Sequence, residues 1–285
     1  MGERRRTPGE REVRNVVATV DGLVRLLELE RVGDVLRGVA PDTNLQRVFG
    51  GQVLGQALMA AGADVPEGRA PHSLHGYFLR PGDPTTPIDY EVEMLRDGRS
   101  FSTRSVVARQ HGKAIFSSTA SFQIDEPGSI EHQDAMPDVP WPDELPSFLR
   151  RPRASDTALR GEWDALDVRY DDTADDGVRV WLRTDGALPD DPLLHAAVLA
   201  YASDLTLMAA IVARHDVRFG EPGVVAASLD HAMWFHRAVR VDDWLLHDQD
   251  SPSASGGRGI GRGRIFARDG RLVATTVQEG LVRIR

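Results

Sequence analysis

Cysteine is absent from this 285-residue chain, which removes disulfides, thiolate metal sites and a cysteine nucleophile together. Any chemistry it performs therefore uses oxygen or nitrogen groups. Lysine is nearly absent as well: of 34 basic residues only Lys113 is lysine, a skew that fits arginine-rich coding better than any special chemistry. No apolar run approaches the ~20 residues needed to cross a bilayer, and residues 1–7 lack the apolar stretch of a secretory signal. Arg6 stands where a myristoylation site needs Ser or Thr, and residues 283–285 are no peroxisomal address. A cytoplasmic location with no membrane partner is expected. The formal charge of −9 and a pI near 5.5 run against the phosphate neutralisation on which nucleic-acid binders depend. No HExxH or comparable histidine pair is present, so neither a metal nor a cofactor is expected. No GxSxG elbow seats a serine triad.

What is there is a chain that repeats itself. Leu58-Met59-Ala60-Ala61 recurs as Leu207-Met208-Ala209-Ala210, an offset of 149 residues (207 − 58). Ser73-Leu74-His75-Gly76-Tyr77-Phe78-Leu79-Arg80 is echoed from Ser228 to Arg237 with two extra residues, at offsets of 155 to 157. Ala108-Arg109-Gln110-His111-Gly112-Lys113 is echoed by Ala267-Arg268-Asp269-Gly270-Arg271, at 158 to 159. Three matches in one order with slowly growing offsets imply duplication. Each half reads as a helix followed by alternating strands, at 88–95, 102–109 and 114–122, then 227–236, 259–267 and 272–282. Asp97-Gly98 and Asp269-Gly270 mark hairpin turns. The fold class is α+β with antiparallel sheets. The expected division is an N-terminal repeat at 13–124, a proline-rich, acidic linker at 125–156 and a C-terminal repeat at 157–285, after a charged and mobile first dozen residues.

The second-half helix has Asp191 as N-cap, Pro192 at its first position and a pattern running to about Arg214. Asp204 is the only charged residue in its apolar stretch, 196–212. A carboxylate among Leu199, Leu205, Leu207 and Met208 is either on a solvent-facing strip or desolvated and in use, and the apolar neighbours favour the second. The offset of 149 puts Gly55 at the equivalent place, so the halves have divided their labour. Gly50-Gly51-Gln52 opens the first-half helix; its N–H groups suit either a developing oxyanion or a simple tight entry turn. Gly257-Arg258-Gly259-Ile260-Gly261-Arg262-Gly263 lacks the spacing of a nucleotide loop and reads as a strand whose glycines allow close backbone approach. Arg258, Arg262 and Arg264 read as solvated surface charge, with coenzyme A phosphates as the rival use. His72, His75, His231 and His236 read as structural histidines beside strands.

On these residues the sequence resembles the acyl-CoA thioesterase II family, the TesB-like double-hotdog enzymes. The segments that carry the likeness are Arg47-Val48-Phe49-Gly50-Gly51-Gln52-Val53-Leu54-Gly55-Gln56-Ala57, His72 to Gly82, Tyr201-Ala202-Ser203-Asp204, Leu229 to Arg237 and Thr275-Thr276-Val277-Gln278-Glu279-Gly280. The resemblance implies a tandem double hotdog, each repeat an antiparallel sheet wrapped around a long central helix. It implies a catalytic set of Asp204, Ser228 and Gln278, with Ser where Thr is common in the family. Ala120 stands opposite Gln278 in the first copy, so one site per chain is expected. The implied reaction is hydrolysis of fatty acyl-CoA to free fatty acid and coenzyme A, within fatty acid metabolism and without an acyl-enzyme. Gln278 and Ser228 would fix a water, Asp204 would take its proton, and N–H groups near Gly51 and Gln52 would meet the oxyanion. A hotdog hydratase would need a His a few residues after its Asp, yet the next after Asp204 is His215. A non-catalytic acyl-CoA-binding module is the other alternative, and the survival of all three polar positions runs against it. A homodimer or homotetramer is expected by analogy.

Overall fold

The computed structural model describes residues 16–147, 162–171, 177–215, 217 and 221–284. The charged first dozen residues, the starting points at 13 and 157, and the linker's last part, 148–156, lie outside the described residues. In the first half α1 (Val20–Leu27) and the strands β1 (Leu29–Val32) and β2 (Val35–Gly38) precede α2 (Gly50–Gly62). There follow β3 (Arg69–Phe78), β4 (Ile88–Asp97), β5 (Phe101–Gln110) and β6 (Lys113–Ile124). The second half runs β7 (Leu166–Asp171), β8 (Val178–Thr184), α3 (Pro192–Ser203) and α4 (Leu207–Val212), then β9 (Val224–Ser228) and β10 (Asp230–Phe235). It ends with β11 (Leu245–Ser255), β12 (Arg258–Ala267) and β13 (Leu272–Ile284).

Every pairing among the described residues is antiparallel, and the order β1-β2-β4-β5-β6-β3-β10-β13-β12-β11-β8-β7 reads the same from either end once each strand is matched with its copy. The expected double hotdog is what the strands build. The halves join where β3 pairs β10. There Ser73 faces Trp234 and Asp230 faces Tyr77, so a shift of 157 residues (230 − 73) exchanges the two pairs and centres a pseudo-twofold axis on His75 and Ala232. This is the offset at which the sequence echo ends. The two extra residues fall at the break between β9 and β10, where Leu229 leaves the strand, its N–H donating to Glu279 and its carbonyl accepting from Phe78. The pairings Arg104 with Ala120 and Gly261 with Gln278 likewise match Ala120 to Gln278.

The alternation that marks the strands puts Val106, Ala108, Ala120 and Phe122 inward, under α2, and Ile265 and Ala274 inward in the second half. Each large apolar side chain buried in this way contributes about 1.5–3 kcal/mol. The strands 102–109, 114–122, 259–267 and 272–282 are present with ends extended by a few residues, and both predicted hairpin turns occur. The predicted strand 227–236 is instead two strands, broken at Leu229. The segment 125–147 holds one short 3-10 turn and covers the outer face of the second half. Its Met136, Val139 and Leu145 pack on Trp181, Trp244, Leu246 and Phe266.

Asp191 caps α3 as expected, accepting from the N–H groups of Leu193 at 2.9 Å and Leu194 at 3.3 Å. The continuous helix expected to about Arg214 is corrected: it stops at Ser203, turns through Asp204, Leu205 and Thr206, and restarts at Leu207. Ser203, Asp204 and Thr206 carry short polar side chains that compete with the helical ladder, and the Ser203 hydroxyl bonds back to the Ala200 carbonyl at 2.9 Å. The expectation that no stretch could span a bilayer is corrected too, because Pro192–His215 is long and apolar enough by composition alone. Its most apolar window is 83% buried inside the protein, as suits a core helix.

Candidate active site

Asp204 occupies the break in the central helix, and its residue is only 8% exposed. As the C-cap of α3 it sits at the negative end of that helix, an unfavourable place for a carboxylate. The compensation comes from α2. The two helices pack antiparallel, with Gly51 against the Tyr201 carbonyl and Gly55 against that of Ala197, so the positive N-terminus of α2 meets the end of α3. A Cβ on Gly50 would lie 2.6 Å from Asp204 Oδ2 and one on Gly51 would enter the Tyr201 carbonyl oxygen; glycine at both positions is what allows this approach. The Gly51 N–H donates to the Asp204 carboxylate.

Two further side chains converge from the opposite wall. Gln278, wholly buried on β13, donates from Nε2 to Asp204 Oδ1 at 2.6 Å and to Ser228 Oγ at 2.7 Å. Ser228 ends β9, raised toward Gln278 by the break that follows it, and its hydroxyl also bonds Asp204. Burial is the largest influence on the carboxyl and raises it to about 7; the bonds from Gln278, Gly51 and Ser228 work in the other direction. The result is a carboxyl that changes charge near neutral pH, where a general base is most effective.

The structure therefore brings Asp204, Ser228 and Gln278, the outer two 74 residues apart in sequence, into one hydrogen-bonded cluster. Gly51 joins them through its N–H. The Gln52 N–H turns instead to the Phe49 carbonyl at 3.1 Å, while its side chain is buried in α2. Phe49, Trp163 and Tyr201 form an edge-to-face aromatic group beside the cluster, with ring centroids 5.5 Å and 5.1 Å from Phe49, and Phe78 lies against Gly50. Sequence reasoning missed these neighbours, although Phe49, Phe78 and Tyr201 stand inside the motifs that carry the family likeness.

The remaining candidates take structural roles. Arg258 pairs with Glu279, Arg262 with Asp250, and Arg264 with Asp248 and Asp134. Gly259 and Gly261 give the close approach expected of β12: a Cβ on either would strike Ile211 or Leu207 of α4. His72 bonds Ser121 at 2.8 Å, His236 bonds Thr275 at 2.8 Å, and His75 stacks edge-on against Trp234. His231 differs. It is wholly buried with Nδ1 3.9 Å from Asp204 Oδ1, so a histidine read from the sequence as structural lies beside the cluster. No group of three or more metal-ligating side chains occurs among the described residues.

Comparison with known proteins shows what the whole chain is similar to. The family model for acyl-CoA thioesterase matches residues 165–281, and that for the acyl-CoA thioesterase N-terminal domain matches residues 39–123. The chain is 40% identical over 280 residues to acyl-CoA thioesterase 2 of Haemophilus influenzae, covering 93% of this chain and 98% of that protein. It is 36% identical to human acyl-coenzyme A thioesterase 8, covering 100% of this chain and 93% of the relative. Among solved structures it resembles the acyl-CoA thioesterase II TesB2 of Mycobacterium marinum, with a TM-score of 0.79, 45% identity, and coverage of 92% of this chain and 98% of that one.

Proposed function

This chain belongs to the acyl-CoA thioesterase family, and from that premise we propose that it hydrolyses fatty acyl-CoA by direct attack of a water that Asp204 activates. The observation that carries the reading is the buried Asp204 carboxyl, raised to about 7 and held by Gln278, Ser228 and the Gly51 N–H. The water oxygen adds to the thioester carbonyl carbon as Asp204 takes one water proton. The carbon–sulfur bond then breaks, and the proton on Asp204 passes to the departing thiolate, giving the free acid and coenzyme A. Ser228 and Gln278 orient the water by donating and accepting hydrogen bonds. The N-terminus of α2, at Gly51 and Gln52, supplies the positive potential that the carbonyl oxygen needs as it gains charge. Phe49, Phe78, Trp163 and Tyr201 give an apolar wall on which an acyl chain can lie.

Thiol release from short-, medium- and long-chain acyl-CoAs tests the proposal, and the absence of cysteine from the chain keeps the colorimetric background low. Coenzyme A and free acid are expected in equal amounts from the first turnover, with no burst of thiol ahead of acid. Binding of acyl-CoA without thiol release would make the protein a binding module and remove the proposed catalytic set; a thiol burst would point to an acyl-enzyme.

A further inference from the structure

His231 lies on β10, the strand that joins the halves, and touches both the helix break and the catalytic cluster. Its Nε2 is 3.0 Å from the Ser203 hydroxyl. Its Nδ1 is 3.9 Å from Asp204 Oδ1, the oxygen that Gln278 Nε2 meets at 2.6 Å. Burial pushes the imidazole down to about 3, so near neutrality the ring carries one proton and the contact with Asp204 is not an ion pair.

The position of that proton follows from which atoms lack a partner. Gln278 Oε1 and His231 Nδ1 are both buried polar atoms with no hydrogen bond. A buried amide oxygen left unpaired costs about 1–3 kcal/mol. An unanchored amide can also flip, which would turn Oε1 toward the Asp204 carboxylate and set acceptor against acceptor. With the proton on Nε2, the Nδ1 lone pair would face Asp204 Oδ1, 3.9 Å away, and Gln278 Oε1 would stay without a donor. With it on Nδ1, the two unpartnered atoms can meet as donor and acceptor, and the Ser203 hydroxyl, turned from the Ala200 carbonyl, can serve Nε2.

The other half supplies an independent observation. Leu74 and Ala120, which pair with each other across β3 and β6, hold the places of His231 and Gln278 under the pseudo-twofold axis. The half without the glutamine has no histidine at the matching place either.

From this geometry we infer that His231 is a positioning residue, whose Nδ1–H holds Gln278 Oε1 so that Nε2 faces Asp204 and Ser228. The inference rests on reading Asp204, Ser228 and Gln278 as the catalytic set. It is tested with His231→Leu, which the fold accepts at the Leu74 position, and with two polar variants. His231→Asn places an amide N–H where Nδ1 stood; His231→Gln places one at the Nε2 end.

With the acyl-CoA that the wild type turns over fastest, His231→Leu should lose roughly 10²-fold in kcat with KM little changed, the scale of loss for a misplaced reacting group. Its pH–rate profile should shift upward, because Asp204 loses the Gln278 bond that holds its pKa down. Tyr201, the other titratable group beside Asp204, is raised well above its usual range by burial and stays neutral throughout, as does His231. His231→Asn should recover at least about tenfold of the loss, and His231→Gln should not. Should the leucine variant fail to fold, the Asn and Gln pair decides alone. Wild-type kcat and pH profile in His231→Leu, or an equal fall in Asn and Gln, would overturn the inference. Asp204→Asn run beside them separates the two levels. If it keeps its turnover the catalytic set is wrong, whereas if it alone loses turnover only the role of His231 is.

Discussion

Asp204→Asn is expected to lower kcat by roughly 10²- to 10⁴-fold, the usual span for a positioned general base, while the folded structure persists. Asparagine keeps the shape and still offers Oδ1 to Gln278, so the loss isolates the ability to take a proton. The same substitution should raise stability at neutral pH. The Asp204 carboxyl sits at about 7 in the folded protein against ~3.9 in an unfolded chain, so between those values the folded state binds the extra proton. Stability therefore falls as pH rises through that window, and the full cost is present above about pH 7. Each tenfold difference in proton affinity is worth ~1.4 kcal/mol, which puts the cost on the order of a few kcal/mol. Thermal melts should show the variant above the wild type at pH 8, with the gap narrowing toward pH 4. A gap that widens on acidification would mean that Asp204 is ionised comfortably in the fold and is no near-neutral base.

Gly51→Ala should damage both fold and turnover. The added Cβ would enter the Tyr201 carbonyl oxygen and the Phe49 ring, and the carbonyl belongs to helix backbone that cannot rotate aside. Helices α2 and α3 must separate, which costs about 1–3 kcal/mol, as overpacking does elsewhere. The movement also carries the Gly51 N–H away from Asp204, and a displacement near 1 Å at a reacting group costs roughly 10²-fold. A melting temperature and kcat both within error of the wild type would show that the close contact of the helices is dispensable.

Much of the fold is legible in the sequence because duplication leaves marks that packing cannot blur. The echoes at Leu58, Ser73 and Ala108 reveal the order of the halves, and the strands with apolar inward faces, β5, β6, β12 and β13, follow from alternation. Strand β11 is not legible: its inward side chains include His247, Gln249 and Ser251, all buried, so the polar pattern disguises a core strand. The short outer strands β1 and β2 carry too few residues for a period to show. The break in the central helix is hidden by the apolar residues around it, although Ser203, Asp204 and Thr206 close together are a visible signal of competition with the helical ladder. Of the site, Asp204 is marked by physics alone, as a charge where burial is expected. Ser228 and Gln278 come through family resemblance, and only the fold shows why: the β9–β10 break and the antiparallel helices carry them to one carboxylate. The link from His231 to Gln278 spans strands far apart in the chain and has no local trace.

The measurement that bears most directly on the account is the pH dependence of kcat/KM for thioester hydrolysis by the wild-type protein. A base must lose its proton before it can act, so activity should rise with pH through an acidic limb centred near the Asp204 value of about 7. A limb centred near 4, or a profile flat across this range, would contradict the claim that a buried, proton-holding Asp204 activates the attacking water.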